Sequence, residues 1–317
     1  MSTTTLSTFR SFGLSEAMLG DIANAGFTEP TPIQALAIPA GLQGRDVLGC
    51  AQTGTGKTAA FVIPMVERLA DAPKGPPRGL VLAPTRELAI QIQRSVDQLG
   101  RSRRVFATTI VGGEDMQAQI RGLRQSPAIV VATPGRLLDH MWNGTLSLAQ
   151  LTIVVLDEAD RMLDMGFAPQ INQILDALPE QRQMLLFSAT IPTDLGTLAR
   201  ACVKDPVRAM VGKPATPVAG VTQTVHHTTM EEKTPLLLSL LKDQAESVLV
   251  FTRTKHRADR LGRALDGIGH RVAVIHGNHR LSQRRNALEG FRRGKFRILV
   301  ATDIAARGID VANIGHV

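Results

Sequence analysis

Tyrosine is absent from the 317 residues, tryptophan occurs once, and phenylalanine ten times. So few rings leave little for a base-stacking platform. A protein of this composition that holds nucleic acid must hold it mainly by the phosphate–sugar backbone, which predicts low sequence specificity and strong salt dependence. Cysteine is also scarce. Cys50 and Cys202 lie far apart and outside any ligand spacing, which argues against a disulfide scaffold or zinc cluster and fits a reducing compartment. No apolar run approaches the roughly 20 residues needed to span a bilayer. The first ten residues show no basic segment followed by an apolar stretch, the pattern of a secretion signal. The expectation is a cytoplasmic, monomeric protein with no membrane partner.

Hydrophobic residues make up 44% of the chain and charged residues 20%, ample for packed cores, and the length suggests two domains. The net charge of +8 is unevenly spread: residues 1–208 hold 19 basic and 19 acidic side chains, residues 209–317 hold 17 and 9. A basic half points to a polyanionic partner, most often nucleic acid; a solubilising cationic surface is the competing explanation.

Short apolar, β-branched runs at 46–50, 79–83, 105–110, 128–132, 152–156 and 183–187 predict strands, as do those at 247–251, 271–275 and 296–301. Segments of helical periodicity, such as 58–70 and 256–267, lie between them. Near-continuous apolar strands spaced by helices indicate an α/β fold with parallel sheets buried on both faces. The stretch 212–220, Gly-Lys-Pro-Ala-Thr-Pro-Val-Ala-Gly, breaks the pattern where the charge balance changes. Two domains, 1–211 and 223–317, joined by a linker at 212–222, are expected.

Ala51-Gln52-Thr53-Gly54-Thr55-Gly56-Lys57-Thr58 follows a predicted strand and opens a predicted helix, the setting of a phosphate-binding loop. Gly54 and Gly56 permit positive φ and close approach of backbone N–H groups to phosphate; Lys57 can neutralise phosphate oxygens, and the Thr58 hydroxyl can ligate Mg²⁺. Ala51 stands where the usual pattern has glycine. A merely structural turn would explain the glycines but not Lys57-Thr58. Asp157-Glu158-Ala159-Asp160 follows the apolar run Ile153–Leu156. A carboxylate at the end of a parallel strand faces the ligand crevice, so Asp157 can hold a Mg²⁺ shell and Glu158 can deprotonate water. Taken alone, an acidic cluster after a strand is more often a solvated loop or helix N-terminus; the upstream phosphate loop reverses that reading. Pro64 falls inside the predicted helix after that loop and should bend it.

Further motifs surround these two. Gly26-Phe27-Thr28-Glu29-Pro30-Thr31-Pro32-Ile33-Gln34 precedes the loop, with Phe9 upstream. Pro84-Thr85-Arg86-Glu87, Gly112-Gly113, Thr133-Pro134-Gly135-Arg136 and Ser188-Ala189-Thr190 follow in order. Val250-Phe251-Thr252-Arg253-Thr254 and Ala301-Thr302-Asp303 through Arg307-Gly308-Ile309-Asp310 complete the series. The whole, from about Phe9 to the last residue, resembles the DEAD-box ATP-dependent RNA helicases of superfamily 2. His276-Gly277-Asn278 and the short upstream segment are similar to the bacterial RhlE subgroup.

The resemblance implies two RecA-like parallel-sheet domains in tandem that close on ATP and RNA. By position, Gln34 would read the adenine edge, an amide offering donor and acceptor together, and Phe27 would lie against its face. Ala51 through Thr58 would hold the triphosphate, with Lys57, Thr58 and Asp157 serving phosphate and Mg²⁺ and Glu158 activating water. Thr85, Arg86, Gly113, Thr133 and Arg136 would contact the RNA backbone from the first domain, Arg253 and Thr302 from the second. Ser188, Thr190 and Arg307 would couple the domains, and Asp310 would reach the ribose. Single positions have plainer explanations: Thr133-Pro134-Gly135 as a turn, Ser188 as a helix cap.

The sequence departs from the family in two places. The arginine-rich His-Arg-x-Gly-Arg-x-x-Arg segment is not among these residues; arginine fingers contribute on the order of 10³–10⁵ in rate. The expectation is therefore a helicase truncated in its second domain, which binds ATP and Mg²⁺ through the first domain but hydrolyses ATP poorly and fails to unwind RNA. The alternative is a non-catalytic ATP- and RNA-binding module. Leu281 stands where the family usually has Gln, with Gln283 nearby. A small-molecule phosphotransferase using the same loop would leave the Arg86, Thr133 and Arg136 series unexplained. His276 and His279 have loose metal spacing without a further ligand set, which reads as a strand-end turn.

Overall fold

Nine of the strands in the structure, a computed structural model, coincide with the nine apolar runs. The structure describes residues 8–52, 54–71, 75–211, 221–242, 246–302, 311 and 314–317. The chain divides into two units, Met1–Thr216 and Pro217–Val317; of the expected linker, only Val221 and Thr222 lie among the described residues.

The first unit opens with a 3₁₀ turn, Phe9–Phe12, and helices α1 (Glu16–Asn24) and α2 (Pro32–Leu42). Strands and helices then alternate: β1 (Val47–Cys50), α3 (Lys57–Leu69), β2 (Gly79–Leu82), α4 (Arg86–Leu99), β3 (Ala107–Ile110), α5 (Met116–Leu123), β4 (Ile129–Ala132), α6 (Pro134–Trp142) and β5 (Ile153–Leu156). After α7 (Ala159–Asp164) and α8 (Ala168–Asp176) come β6 (Gln183–Ser188), α9 (Thr193–Cys202) and β7 (Val207–Met210). The seven strands form one sheet in the order β3-β4-β2-β5-β6-β1-β7, and all their pairings are parallel.

Helices cover both faces of this sheet, which is why its strands read as unbroken apolar runs. Side chains alternate between two cores. Val47, Val81, Val131, Val155 and Phe187 pack on one face with α2, α3 and α4. Leu48, Leu80, Val130, Val154 and Leu186 pack on the other with α6, α8 and α9. Phe187 needs Gly49, its register partner on β1: a Cβ there would meet the ring at 2.5 Å. Pro64 lies inside α3 with its ring against Gly41 of α2. The edge strand β7 was not expected. Only Ala209 of its four residues is buried, so Val-Arg-Ala-Met carries no apolar run.

The second unit contains α10 (Lys233–Lys242), β8 (Val248–Thr252), α11 (Lys255–Gly267), β9 (Val272–Ile275), α12 (Leu281–Arg292) and β10 (Ile298–Thr302). Its described strands form a parallel sheet in the order β8-β10-β9, with small cores on either face. No helix of the described residues is long and apolar enough to cross a membrane.

Candidate functional site

In a parallel sheet the C-terminal strand ends share one edge, and the loops leaving them form the crevice. Here that edge has two halves. The strands β5, β6 and β1 lead to Asp157-Glu158, Ser188-Ala189-Thr190 and the loop 51–56; β3, β4 and β2 lead to Gly112-Gly113, Thr133–Arg136 and Thr85-Arg86. The halves join at the β2–β5 pair, where the Asp157 N–H donates to Leu82 O at 3.0 Å.

In the loop after β1, Gly54 and Gly56 adopt φ of +83° and +86°. Gly56 is the N-cap of α3, so the helix starts with Lys57 and its first-turn N–H groups have no side-chain cap. Lys57 is buried, its Nζ donating to Ala51 O at 2.5 Å. Thr55 Oγ1 donates to Gln52 O at 2.7 Å, and Thr58 is half-buried. Exposed donors at a helix start, a positive macrodipole end and one ammonium group together make an anion cradle. Thr53 lies outside the described residues.

Gln34, fully buried, ties α2 to this loop. Its Oε1 accepts from Thr31 N at 2.9 Å and its Nε2 donates to Gly56 O at 3.1 Å. The amide expected to read adenine thus already holds its own helix start and the loop. Phe27 is half-buried and packs edge-on to Phe9, with centroids 6.5 Å apart.

Asp157 is 2% exposed. Burial first, and then the neighbouring Glu158, push its carboxyl up to about 7 against the opposing pull of Lys57. Glu158 sits at φ +50°, ψ +49°, a conformation that a non-glycine residue adopts at a cost of order 1–3 kcal/mol and that clusters at functional sites. Its Oε2 pairs with Arg161 Nη1 at 2.5 Å. Asp160 reaches the next strand end, accepting from Thr190 N at 2.9 Å and Thr190 Oγ1 at 2.7 Å. Ser188, fully buried, donates to Thr190 O at 2.5 Å. The sequence places Asp160 in the acidic run without giving it a role, and Arg161 carries no signal of its own there.

On the other half, Thr85 caps α4, its hydroxyl accepting from Leu88 N at 3.3 Å. Gly113 (φ +76°) lies against Arg86; a Cβ on Gly113 would overlap the guanidinium. Thr133 caps α6 without a side-chain bond, and its N–H donates to Ile110 O at 3.1 Å. Arg136 donates to Glu114 O at 3.0 Å and to Gln119 Oε1 at 3.3 Å. Loci scattered from 85 to 136 thus meet along one sheet edge, beside the phosphate cradle.

In the second unit the exposed Arg253 follows β8 and the buried Thr302 ends β10, its neighbour in the sheet. Arg307 and Asp310 lie outside the described residues. Gln283 Oε1 accepts from Arg280 N at 2.9 Å, which commits that amide to the start of α12. His276 Nε2 donates to Asp259 Oδ1 at 2.7 Å, a third ligand-type group that spacing could not reveal because it lies on α11. The His276 and His279 rings stack with centroids 3.9 Å apart and a 32° tilt. One ligand-type atom from each of Asp259, His276 and His279 lies within 4.8 Å of the others, so the fold supplies the further ligand that the sequence spacing lacked.

Residues 31–198 match the model of the DEAD/DEAH box helicase family, and residues 232–317 match that of the helicase conserved C-terminal domain. The chain belongs to the DEAD/DEAH box helicase family. It is 44% identical over 313 residues to the DEAD-box ATP-dependent RNA helicase CshA of Bacillus cereus, covering 98% of this chain and 59% of that one. It is 44% identical over 312 residues to CshA of Bacillus subtilis, covering 98% and 63%. The chain therefore spans about three fifths of the length of these relatives. Among solved structures, S. cerevisiae Dbp5 bound to RNA and ADP BeF3 aligns with a TM-score of 0.86 at 30% identity, covering 97% of this chain and 78% of that one. These relatives carry the name CshA, and the finer likeness to RhlE is not carried forward.

Proposed function

We propose that this DEAD-box family member is an ATP-dependent RNA helicase that hydrolyses ATP at the first-unit cradle and uses turnover to separate RNA strands locally. The observation that carries the reading is the joining, on one sheet edge, of a lysine-bearing helix start, the buried Asp157 beside the half-buried Glu158, and a row of threonine, glycine and arginine groups. Relatives named as RNA helicases and a neighbour solved with RNA and ADP BeF3 support it.

In this reading the first-turn N–H groups of α3 and Lys57 bind the triphosphate, Lys57 exchanging Ala51 O for phosphate oxygen. Gln34 keeps one N–H and one lone pair beyond its internal bonds, enough to address the adenine edge, with Phe27 alongside. Thr58 and Asp157 offer hard oxygen ligands of the kind Mg²⁺ prefers. The buried Asp157, its carboxyl raised by burial and then by the neighbouring half-buried Glu158, fits a divalent cation. When bound, Mg²⁺ supplies charge neutralisation to the phosphate oxygens. Glu158 orients and deprotonates the attacking water. Ser188, Thr190 and Arg307 transmit the state of the site, and Asp310 addresses the ribose.

Thr85, Arg86, Gly113, Thr133 and Arg136 hold phosphate and sugar, as do Arg253 and Thr302. Backbone-directed contacts explain how a chain without tyrosine serves RNA with little regard to sequence. The test is separation of a short RNA duplex bearing a single-stranded end. Strand release that requires ATP supports the reading, and release indifferent to nucleotide refutes it.

A further inference from the structure

We propose that Gln119 is the positioning residue of the RNA-facing edge, its side-chain amide holding the Arg136 guanidinium in register with the Gly112-Gly113 turn. The inference rests on the reading of Arg136 as an RNA backbone contact.

Gln119 lies on α5 and is 7% exposed. Its Nε2 donates to Val111 O at 2.8 Å, and Val111 immediately precedes Gly112-Gly113. Its Oε1 faces two donors of α6, Arg136 Nη1 at 3.3 Å and His140 Nε2 at 3.1 Å. One amide therefore joins the turn after β3, the helix α5 and the first turns of α6.

The orientation of the amide is forced. Val111 O can only accept and Arg136 can only donate, so nitrogen must face the first and oxygen the second. That choice fixes the neighbouring imidazole. With Gln119 Oε1 opposite, His140 Nε2 donates, and its Nδ1 lies 2.8 Å from Thr145 Oγ1, a hydroxyl that also reaches His140 O at 3.0 Å. His140 is fully buried, and burial first, then nearby Arg136, hold its pKa below the usual imidazole value despite Asp139.

No other residue type serves all three neighbours. A carboxylate would set oxygen against Val111 O, and an apolar side chain would leave Val111 O and His140 Nε2 without this partner and cost Arg136 one of its contacts. The Arg136 side chain is only 13% exposed and is otherwise held by Glu114 O at 3.0 Å and by Asp139 Oδ2, 3.3 Å from Nε. Glu114 O holds the guanidinium at the residue after the glycine turn, and Gln119 ties it to α5 and to Val111, the residue before that turn.

The test is a double-mutant cycle on single-stranded RNA affinity at fixed salt, with Gln119→Met, Arg136→Ala and both together; methionine keeps length and packing while deleting the polar contacts. Each single variant is expected to bind about tenfold more weakly, and the double variant to bind as Arg136→Ala does. Wild-type affinity in Gln119→Met, or losses that multiply, would overturn the inference while leaving the RNA reading intact. A wild-type protein that binds no RNA would instead overturn the reading, and this inference with it. A check that needs no variant is the ¹⁵N NMR signature of His140 in the wild type. An Nε2–H tautomer is expected; an Nδ1–H tautomer would mean the Gln119 carbonyl does not face α6, and would contradict the assignment.

Discussion

Asp160 Oδ2 accepts two hydrogen bonds from one residue, Thr190: the backbone N–H at 2.9 Å and the hydroxyl at 2.7 Å. Asp160 belongs to the carboxylate run after β5 and Thr190 to the turn after β6, so the ends of adjacent strands are tied together. Burial raises the Asp160 carboxyl, but bonds from Thr190 and Ser188 outweigh it and leave the group below its ordinary value. A side chain expected to couple domains is thus first of all wired to the acidic motif.

Thr190→Val deletes the hydroxyl donor while keeping shape. The loss should be about 2 kcal/mol at neutral pH, the worth of a hydrogen bond to a charged acceptor. A carboxyl lowered in the folded state stabilises above its unfolded pKa, and that stability is lost as pH falls through the folded value. The difference between wild type and variant should therefore shrink on acidification, as chemical denaturation across the acid range will show.

Gly56→Ala should damage the phosphate cradle directly. The position has φ +86°, which costs an L-residue about 1–2 kcal/mol, and a Cβ would overlap the Gln34 amide. Titration with a fluorescent ATP analogue should show affinity reduced more than about tenfold, because the donors at the helix start are displaced.

Gly113→Ala should separate the two halves of the edge. The new Cβ would drive Arg86 from its place beside the turn, so RNA affinity should fall about tenfold. The phosphate cradle, on the other strands, is untouched, and ATP-analogue affinity should stay within about twofold.

His140 gives the first unit a pH signature. Its pKa is lowered by burial, so the neutral ring stabilises above the ordinary imidazole range, and that contribution is lost as pH falls through the lowered value. Between about pH 7.5 and about pH 5.5 the melting temperature of the wild type should fall more than that of His140→Gln, measured by calorimetry.

The strands and the phosphate loop were legible because their determinants are local. Val47–Cys50 and Ile153–Leu156 are buried on both faces and so read as apolar runs, and Gly54, Gly56 and Lys57 sit within one turn of chain. β7 escaped because an edge strand buries only Ala209 and carries Arg208. The polar networks escaped for a different reason. Gln119 meets Arg136 across 17 residues and Asp160 meets Thr190 across 30, so only the fold brings them together. Gln34 shows the limit of reading a role from position, since its amide is also a structural link to Gly56.

If Glu158 activates water as proposed, ATP turnover depends on its carboxylate and answers to RNA. The direct measurement is steady-state ATP turnover with and without single-stranded RNA, in the wild type and in Glu158→Gln, with ATP-analogue affinity measured alongside. The account predicts turnover that rises with RNA in the wild type and falls at least about a hundredfold in the variant, with the analogue still bound. Turnover that persists in Glu158→Gln, or that ignores RNA in the wild type, would contradict it.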